Sequence, residues 1–180
     1  MVDPEYTLIQ AIAADDQAAF ECLVKRYQNP LGNFVYRYVG DRSTAEDITQ
    51  EVFMRVYRSA SSFVPKARVS SWLFKIALNL SLNEIKRRQR QRRDETAIHD
   101  EQEHGAESAS SPAAPRRDLE LEVMSALDKL SGNQRAALLL RVNEGLSYRE
   151  IGETLGLSVP SVEALIFRAR QQLRGSVRRK

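Results

Sequence analysis

GLSYREIGETLGLSVPSVEALIFRAR, residues 145–170, has the spacing of two short helices that meet at a glycine. Ser147 is a good N-cap, and Glu150 three residues on completes a capping box that satisfies two orphan amides at the helix start. Gly156 permits the left-handed backbone of a tight corner, and Ser158 followed by Pro160 restarts a helix with proline in its first turn. Ile151, Leu155, Leu157, Val162, Ile166, Ala169 and Leu173 then form one inward stripe. Ser161, Glu163, Ala164, Leu165, Phe167 and Arg168 face out of the second helix. The pattern is that of a helix-turn-helix, whose second helix enters the major groove while flanking bases hold phosphates. Arg168, Arg170 and Arg174, with the basic tail 174–180, suit phosphates. An acid and several apolar residues on the outward face leave open a hairpin that binds protein or only packs.

Upstream, LELEVMSALDKL and NQRAALLLRVNEG supply two more short helices, with stops at Ser131-Gly132 and Gly145. Before them lies DETAIHDEQEHGAESASSPAAPRRD, rich in acids, small residues and proline, with almost no side chain that could enter a core. It reads as a flexible acidic linker over 94–117. N-terminal to it, apolar residues recur at helical spacing from Leu8 to Tyr27, through Ile48, Val52, Phe53, Val56 and Tyr57, and from Trp72 to Ile85. Asp15-Asp16, Ser43-Thr44 and Ser70-Ser71 mark the expected helix starts. Nothing alternates like a strand. The expected fold is therefore all-α, with two small helical domains, residues 1–93 and 118–180, joined by the linker.

Composition narrows the function classes. Lys and Arg exceed Asp and Glu by 27 to 24, an excess whose distribution says more than its size. No apolar run approaches the roughly 18 residues of a membrane span, and the first residues carry an acid where a signal peptide has its basic leader. A cytoplasmic protein without membrane insertion is expected. Cys22 is the only cysteine, which excludes an internal disulfide and a cysteine-based zinc cluster. Its setting, AAFECLVKRY, reads as a small buried hydrophobe, with a redox sensor as the alternative. His99 and His104 lie in the linker among acids, but scattered ligands on a mobile segment do not make a metal site. Neither a metal nor a cofactor is expected.

Two stretches of the first domain carry polar residues in a pattern. In STAEDITQEVFMRVYR, Asp47, Gln50 and Glu51 share the polar side of a helix whose other face goes to a core, which by itself describes a solvated face. SSFVPKARVSSWLFKIALNLSLNEIKRRQRQRR mixes Phe63 and Trp72 with Lys66, Arg68, Lys75 and a basic run from Lys86 to Arg93. Aromatics among bases, with Asn79 and Asn83 one helical turn apart, suit unstacked single-stranded bases and their phosphates. Trp72 reads as core.

Taken together the two halves resemble the extracytoplasmic-function sigma factors, the smallest group of bacterial sigma factors, over nearly the whole chain. AEDITQEVFMRVYR looks like the helix that binds core RNA polymerase, SSWLFKIALNLSLNEIKRR like the helix that melts and reads the −10 element, and LSYREIGETLGLSVPSVEALIFRARQQL like the −35 reader. The resemblance implies that Asp47, Gln50, Glu51 and Arg55 bind the clamp of the largest polymerase subunit. It implies −10 contacts by Phe63, Lys66, Arg68, Ser70, Lys75, Asn79, Asn83, Lys86 and Arg87. It implies −35 contacts by Arg141, Tyr148, Ser161, Glu163, Ala164, Phe167, Arg168 and Arg170. The second domain would also meet the flap of the second polymerase subunit, and an anti-sigma factor would hold the protein inactive until stress releases it. The linker would run through the polymerase active cleft as a nucleic-acid mimic or serve as a simple tether.

Many members of that group have a basic and a small polar residue where this chain has Glu163 and Ala164. Glutamate accepts from the cytosine amino group, and Ala, Leu or Phe can lie on thymine methyls, so the departure implies altered −35 specificity. Leu165 and Phe167 fit an anti-sigma docking surface equally well. A stand-alone operator-binding regulator has no need of the Asp47–Glu51 patch or the aromatic and basic stretch. A nuclease-like enzyme would require a carboxylate or histidine cluster on an ordered element, and none is visible.

Overall fold

Short polar caps set the helix starts. The computed structural model describes residues 5–65, 67–98 and 115–177. Among them are eight α-helices, one 3-10 turn at Ala60–Ser62 and no strand. Tyr6–Ala13 (α1), Gln17–Val39 (α2), Arg42–Ser59 (α3) and Val69–Ile98 (α4) form the first group, and Pro115–Asp128 (α5), Gly132–Val142 (α6), Tyr148–Leu155 (α7) and Val159–Val177 (α8) the second.

The Asp16 side chain accepts from Ala19 N at 3.0 Å to cap α2, as the sequence suggested. Asp41 caps α3 by accepting from Thr44 N at 2.9 Å, so the expected start at Ser43-Thr44 falls inside the helix. Likewise α4 begins at Val69, ahead of Ser70-Ser71. Ser131 and Ser147 each form a complete capping box, with Gln134 and Glu150. Both ends of the expected linker are helical: α4 continues to Ile98, and α5 starts on Pro115. Proline fits the first helical position because the amide it lacks would be unpaired there. The remainder of the linker, with His99 and His104, lies outside the described residues.

In the first group, Leu23, Leu31, Phe34 and Val35 of α2 pack on Val52 and Val56 of α3 and on Leu73, Phe74 and Ala77 of α4. The Phe34 ring meets Phe74 edge-on at 5.4 Å and stacks on Tyr38 at 5.9 Å. In the second, Ala136–Leu140 of α6, Ile151 of α7 and Val162, Ile166 and Ala169 of α8 make the core. Sequence expectations about burial fail at several positions. Cys22 is exposed, and so is Tyr57, whose hydroxyl donates to Asp15 Oδ1 at 3.0 Å while its ring packs edge-on against Phe20. Each lies just off the buried stripe of its helix, where one position of rotation exchanges core for water.

The two groups also pack on each other. Arg135 of α6 donates to Tyr38 O of α2 at 2.9 Å, and its guanidinium lies 5.9 Å from the Tyr38 ring centre. Tyr38 OH donates to Gly132 O at 3.4 Å, and Arg37 donates to Asn143 Oδ1 at 2.9 Å. On the other flank α7 lies on the start of α4.

Candidate nucleic-acid interface

Helical spacing fixes what each surface presents. On α3, positions 47, 50, 51 and 54 share one side. Asp47, Gln50 and Arg55 are exposed and Glu51 is half-buried. Arg55 Nε donates to Glu51 at 2.8 Å, one turn away. That bond, with Arg55 and Arg58 close by, holds the Glu51 carboxyl below the usual range. Met54 is 45% exposed in the same patch. Sequence reading missed it because a methionine beside an apolar stripe reads as core; its place one turn from Gln50 and Glu51 was the available signal.

On α4 the buried residues Leu73, Phe74, Ala77, Leu78 and Ser81 face inward, and Lys75, Asn79, Asn83, Lys86 and Arg87 are all exposed. Glu84 sits among these bases, accepting from Arg87 and Arg88 at 2.8 Å, and those bonds hold its carboxyl below the usual range. Phe63 is half-buried, 4.5 Å from the Trp72 ring and 6.0 Å from Tyr6. Trp72 is itself half-buried rather than core. Trp72 and Asn79 line a cleft with Arg55, Arg58 and Ile76 between α3 and α4. Ser70 is half-buried, Arg68 is exposed and tied across to α7, and Lys66 lies outside the described residues.

Around the helix-turn-helix, the corner is set by two glycines. Gly156 has φ +68° and closes α7. Gly152, inside α7, passes so close to the turn that an added Cβ would lie 2.6 Å from Leu157 O, while Leu157 N donates back to Gly152 O at 2.9 Å. Close approach therefore needs glycine there. Ser161, Glu163, Phe167, Arg168 and Arg170 are exposed on α8, and Phe167 is 62% exposed. Ala164 is half-buried. Leu165, expected to face outward, is also half-buried and packs against the core. It thus joins the inner stripe and leaves Phe167 as the apolar feature of that face. Tyr148 is half-buried beneath the Arg141 guanidinium at 5.2 Å, and Arg141 donates to Leu146 O at 2.9 Å, which fixes the loop before α7.

Between the groups, Glu144 lines a cleft with Arg26, Tyr27, Phe74 and Glu150. Burial pushes its carboxyl up to about 7 against the opposing pull of Arg37. Burial also acts on Glu150, but the Ser147 hydrogen bonds and Arg68 outweigh it and leave that carboxyl below the usual range. Among the described residues no three His, Cys, Asp or Glu side chains are grouped to hold a metal. Nor is any described helix long and apolar enough to cross a membrane.

Comparison with known proteins gives these surfaces a frame. The family Sigma-70 region 2 matches residues 23–91, and Sigma-70, region 4 matches residues 120–173. The chain is 32% identical to the RNA polymerase sigma-H factor of Pseudomonas aeruginosa, over 95% of its own length and 92% of that protein's. It is 31% identical to the ECF RNA polymerase sigma-E factor of Escherichia coli, over 96% and 94% of the two chains. Among solved structures, CnrH in complex with the cytosolic domain of CnrY superposes with a TM-score of 0.78 at 25% identity, covering 99% of both chains. The sigma factor RpoE of Bartonella quintana, solved with the anti-sigma factor NepR, shares the fold with a TM-score of 0.70 at 24% identity, over 88% of this chain and 96% of that one.

Proposed function

Since this chain belongs to the extracytoplasmic-function sigma factors of RNA polymerase, we propose how its surfaces divide that work. It is a transcription initiation factor that joins the polymerase core and directs it to particular promoters, and an anti-sigma factor restrains it. Residues 1–93 engage the core and open the −10 element, and residues 118–180 read the −35 element. The segment between, over 94–117, links the two readers. The protein performs no bond chemistry of its own and acts in the cytoplasm.

Asp47, Gln50, Glu51 and Arg55, with Met54 as an apolar anchor, form the polymerase patch. The observation that carries the −10 reading is the outward row on α4: Lys75, Asn79, Asn83, Lys86 and Arg87 stand exposed while the opposite face is core. Amides among bases can hold extruded bases at their hydrogen-bonding edges while the cations hold phosphates. Phe63, Arg68 and Ser70 flank the row at the start of α4, and Lys66 belongs to the same set by sequence. At −35, Ser161, Glu163, Ala164 and Phe167 meet base edges, while Arg141, Tyr148, Arg168 and Arg170 position the helix on the backbone.

Replacing both Asn79 and Asn83 by alanine tests the reading. Permanganate footprinting should show a larger loss of opening on a duplex promoter than on a template already unpaired across −10, because extracting stacked bases is part of the work. Full activity on both templates removes these residues from the site.

A further inference from the structure

We propose that Arg88, which stands outside the reading row of α4, is a positioning residue that ties this helix to the amino end of α3 and sets the pose from which Arg87 meets the −10 strand. This rests on the reading of that row as the −10 surface. Along α4 the inward positions are Leu73, Ala77 and Ser81, with Glu84 and Ile85 half-buried one turn on. The same stripe next reaches position 88, where an apolar residue would be in register, and carries an arginine instead. From Gln89 to Asp94 every position is exposed, so the stripe ends at Arg88. Three members of the row, Asn83, Lys86 and Arg87, lie within about a turn and a half of it.

Arg88 reaches across to α3. Its Nη2 donates to Thr44 Oγ1 and to Asp41 Oδ1, the latter at 3.3 Å, while its Nε donates to Glu84 Oε1 at 2.8 Å. Asp41 is the N-cap of α3 and accepts from Thr44 N at 2.9 Å. A helix start carries partial positive charge, so a cation is favoured there only through the carboxylate that stands with it. On its other side Glu84 accepts from Arg87 Nε and Nη2, each at 2.8 Å. A chain of charged hydrogen bonds therefore runs Asp41, Arg88, Glu84, Arg87, from the helix of the polymerase patch to the outer face of the −10 helix. The Arg87 side chain is 61% exposed and that of Arg88 36%, so Arg87 is the one free to leave for a phosphate. When it does, Arg88 still satisfies the Glu84 carboxylate. Without Arg88 that half-buried carboxylate would be left unpaired, which opposes the exchange.

Core polymerase reconstituted with each variant is scored by permanganate on the duplex promoter used for Asn79 and Asn83, while circular dichroism and co-purification with core report folding and assembly. Arg88→Ala should lower opening about two- to fivefold, the equilibrium factor of a half-exposed charge pair, with core binding as in the parent. Asp41→Ser keeps a capping hydroxyl but removes the carboxylate that Arg88 meets. It should lower opening too, although the loss of an acid favours DNA on charge alone. In an Arg87→Ala background Arg88→Ala should cost nothing further, because the side chain it positions is gone. A general weakening of the fold would cost as much there as in the parent. Unchanged opening in a folded Arg88→Ala protein, unchanged or greater opening in Asp41→Ser, or an undiminished loss in the Arg87→Ala background overturns the positioning role. Where Arg88→Ala does not fold, Asp41→Ser with and without Arg87→Ala makes the same comparison. Arg87→Ala alone tests the −10 reading separately: reduced opening sustains it whatever becomes of Arg88, and full opening refutes the place of Arg87 in the row and the positioning role with it.

Discussion

Replacing Gly152 by alanine sets two effects against each other at one atom. In an exposed helix interior the change stabilises, by about 1 kcal/mol on propensity alone. Here the new Cβ would stand 2.6 Å from Leu157 O, against an ordinary contact of at least 3.4 Å, so a backbone carbonyl must move by about 0.8 Å. The obstacle cannot rotate away as a side-chain end would. Overpacking of this kind costs about 1–3 kcal/mol. The displaced turn also weakens the Leu157 N to Gly152 O hydrogen bond, worth about 1 kcal/mol. Net destabilisation of about 1–3 kcal/mol follows, or roughly 2–12 °C in melting temperature for a chain of this size. The recognition helix should also swing relative to α7, so −35-dependent run-off transcription with core polymerase should fall more than transcription from a promoter that relies on −10 contacts. A Gly152→Ala protein that melts at or above the parent temperature would refute the close-approach reasoning.

Three further outcomes are expected. Asp47→Lys with Glu51→Lys should leave the melting temperature unchanged, because both side chains are solvent-accessible, yet abolish co-purification with core polymerase. Arg135→Ala strips donors from Leu127 O and Tyr38 O, a loss of about 1–3 kcal/mol where those carbonyls stay buried, and should lower energy transfer between the helix groups as well as stability. Glu144 is held protonated up to about pH 7 in the docked form, whereas a free glutamate ionises near 4.5. The docked form therefore holds the extra proton between those values. Docking is strongest below about pH 4.5 and weakens progressively as pH rises to about 7, so energy transfer between dyes on Cys22 and a Gln171→Cys position should fall between about pH 4.5 and 7 in the parent and stay flat in Glu144→Gln.

The features legible in the sequence are those decided within a few residues. The Ser147 and Glu150 capping box, the Gly156 corner and the inner stripe of α8 depend on local spacing, and they stand where the spacing put them. The start of α3 was misplaced because Asp41, Ser43 and Thr44 are all competent caps. Gly40, with φ +82°, ends α2 immediately before Asp41 and so selects it. Pro115 reads as a breaker, although at a first helical position it is a starter. Gly152 gave only a weak signal, a glycine inside an apolar period, since the carbonyl it must admit belongs to the next turn. The docking of α7 on α4 had no local signature at all: Arg68 and Glu150 each suit another role, and only the tertiary fold makes them partners.

The seam between Tyr38 and Arg135 joins surfaces already tied by one chain, so its strength is set by effective concentration. Two partners carried on one chain can meet at an effective concentration of up to about millimolar. A docked population near 90% then requires an intrinsic dissociation constant of only about 0.1 mM, between 1 μM and 1 mM affinities that correspond to about 8 and 4 kcal/mol. Such a contact raises the apparent dissociation constant of a competing ligand by about tenfold and no more. For stray nucleic acid bound weakly and non-specifically, at about 10⁻⁴–10⁻⁶ M, that factor removes much of the occupancy. For a partner bound some five decades tighter than the seam, at about nanomolar strength, the same factor is a minor toll.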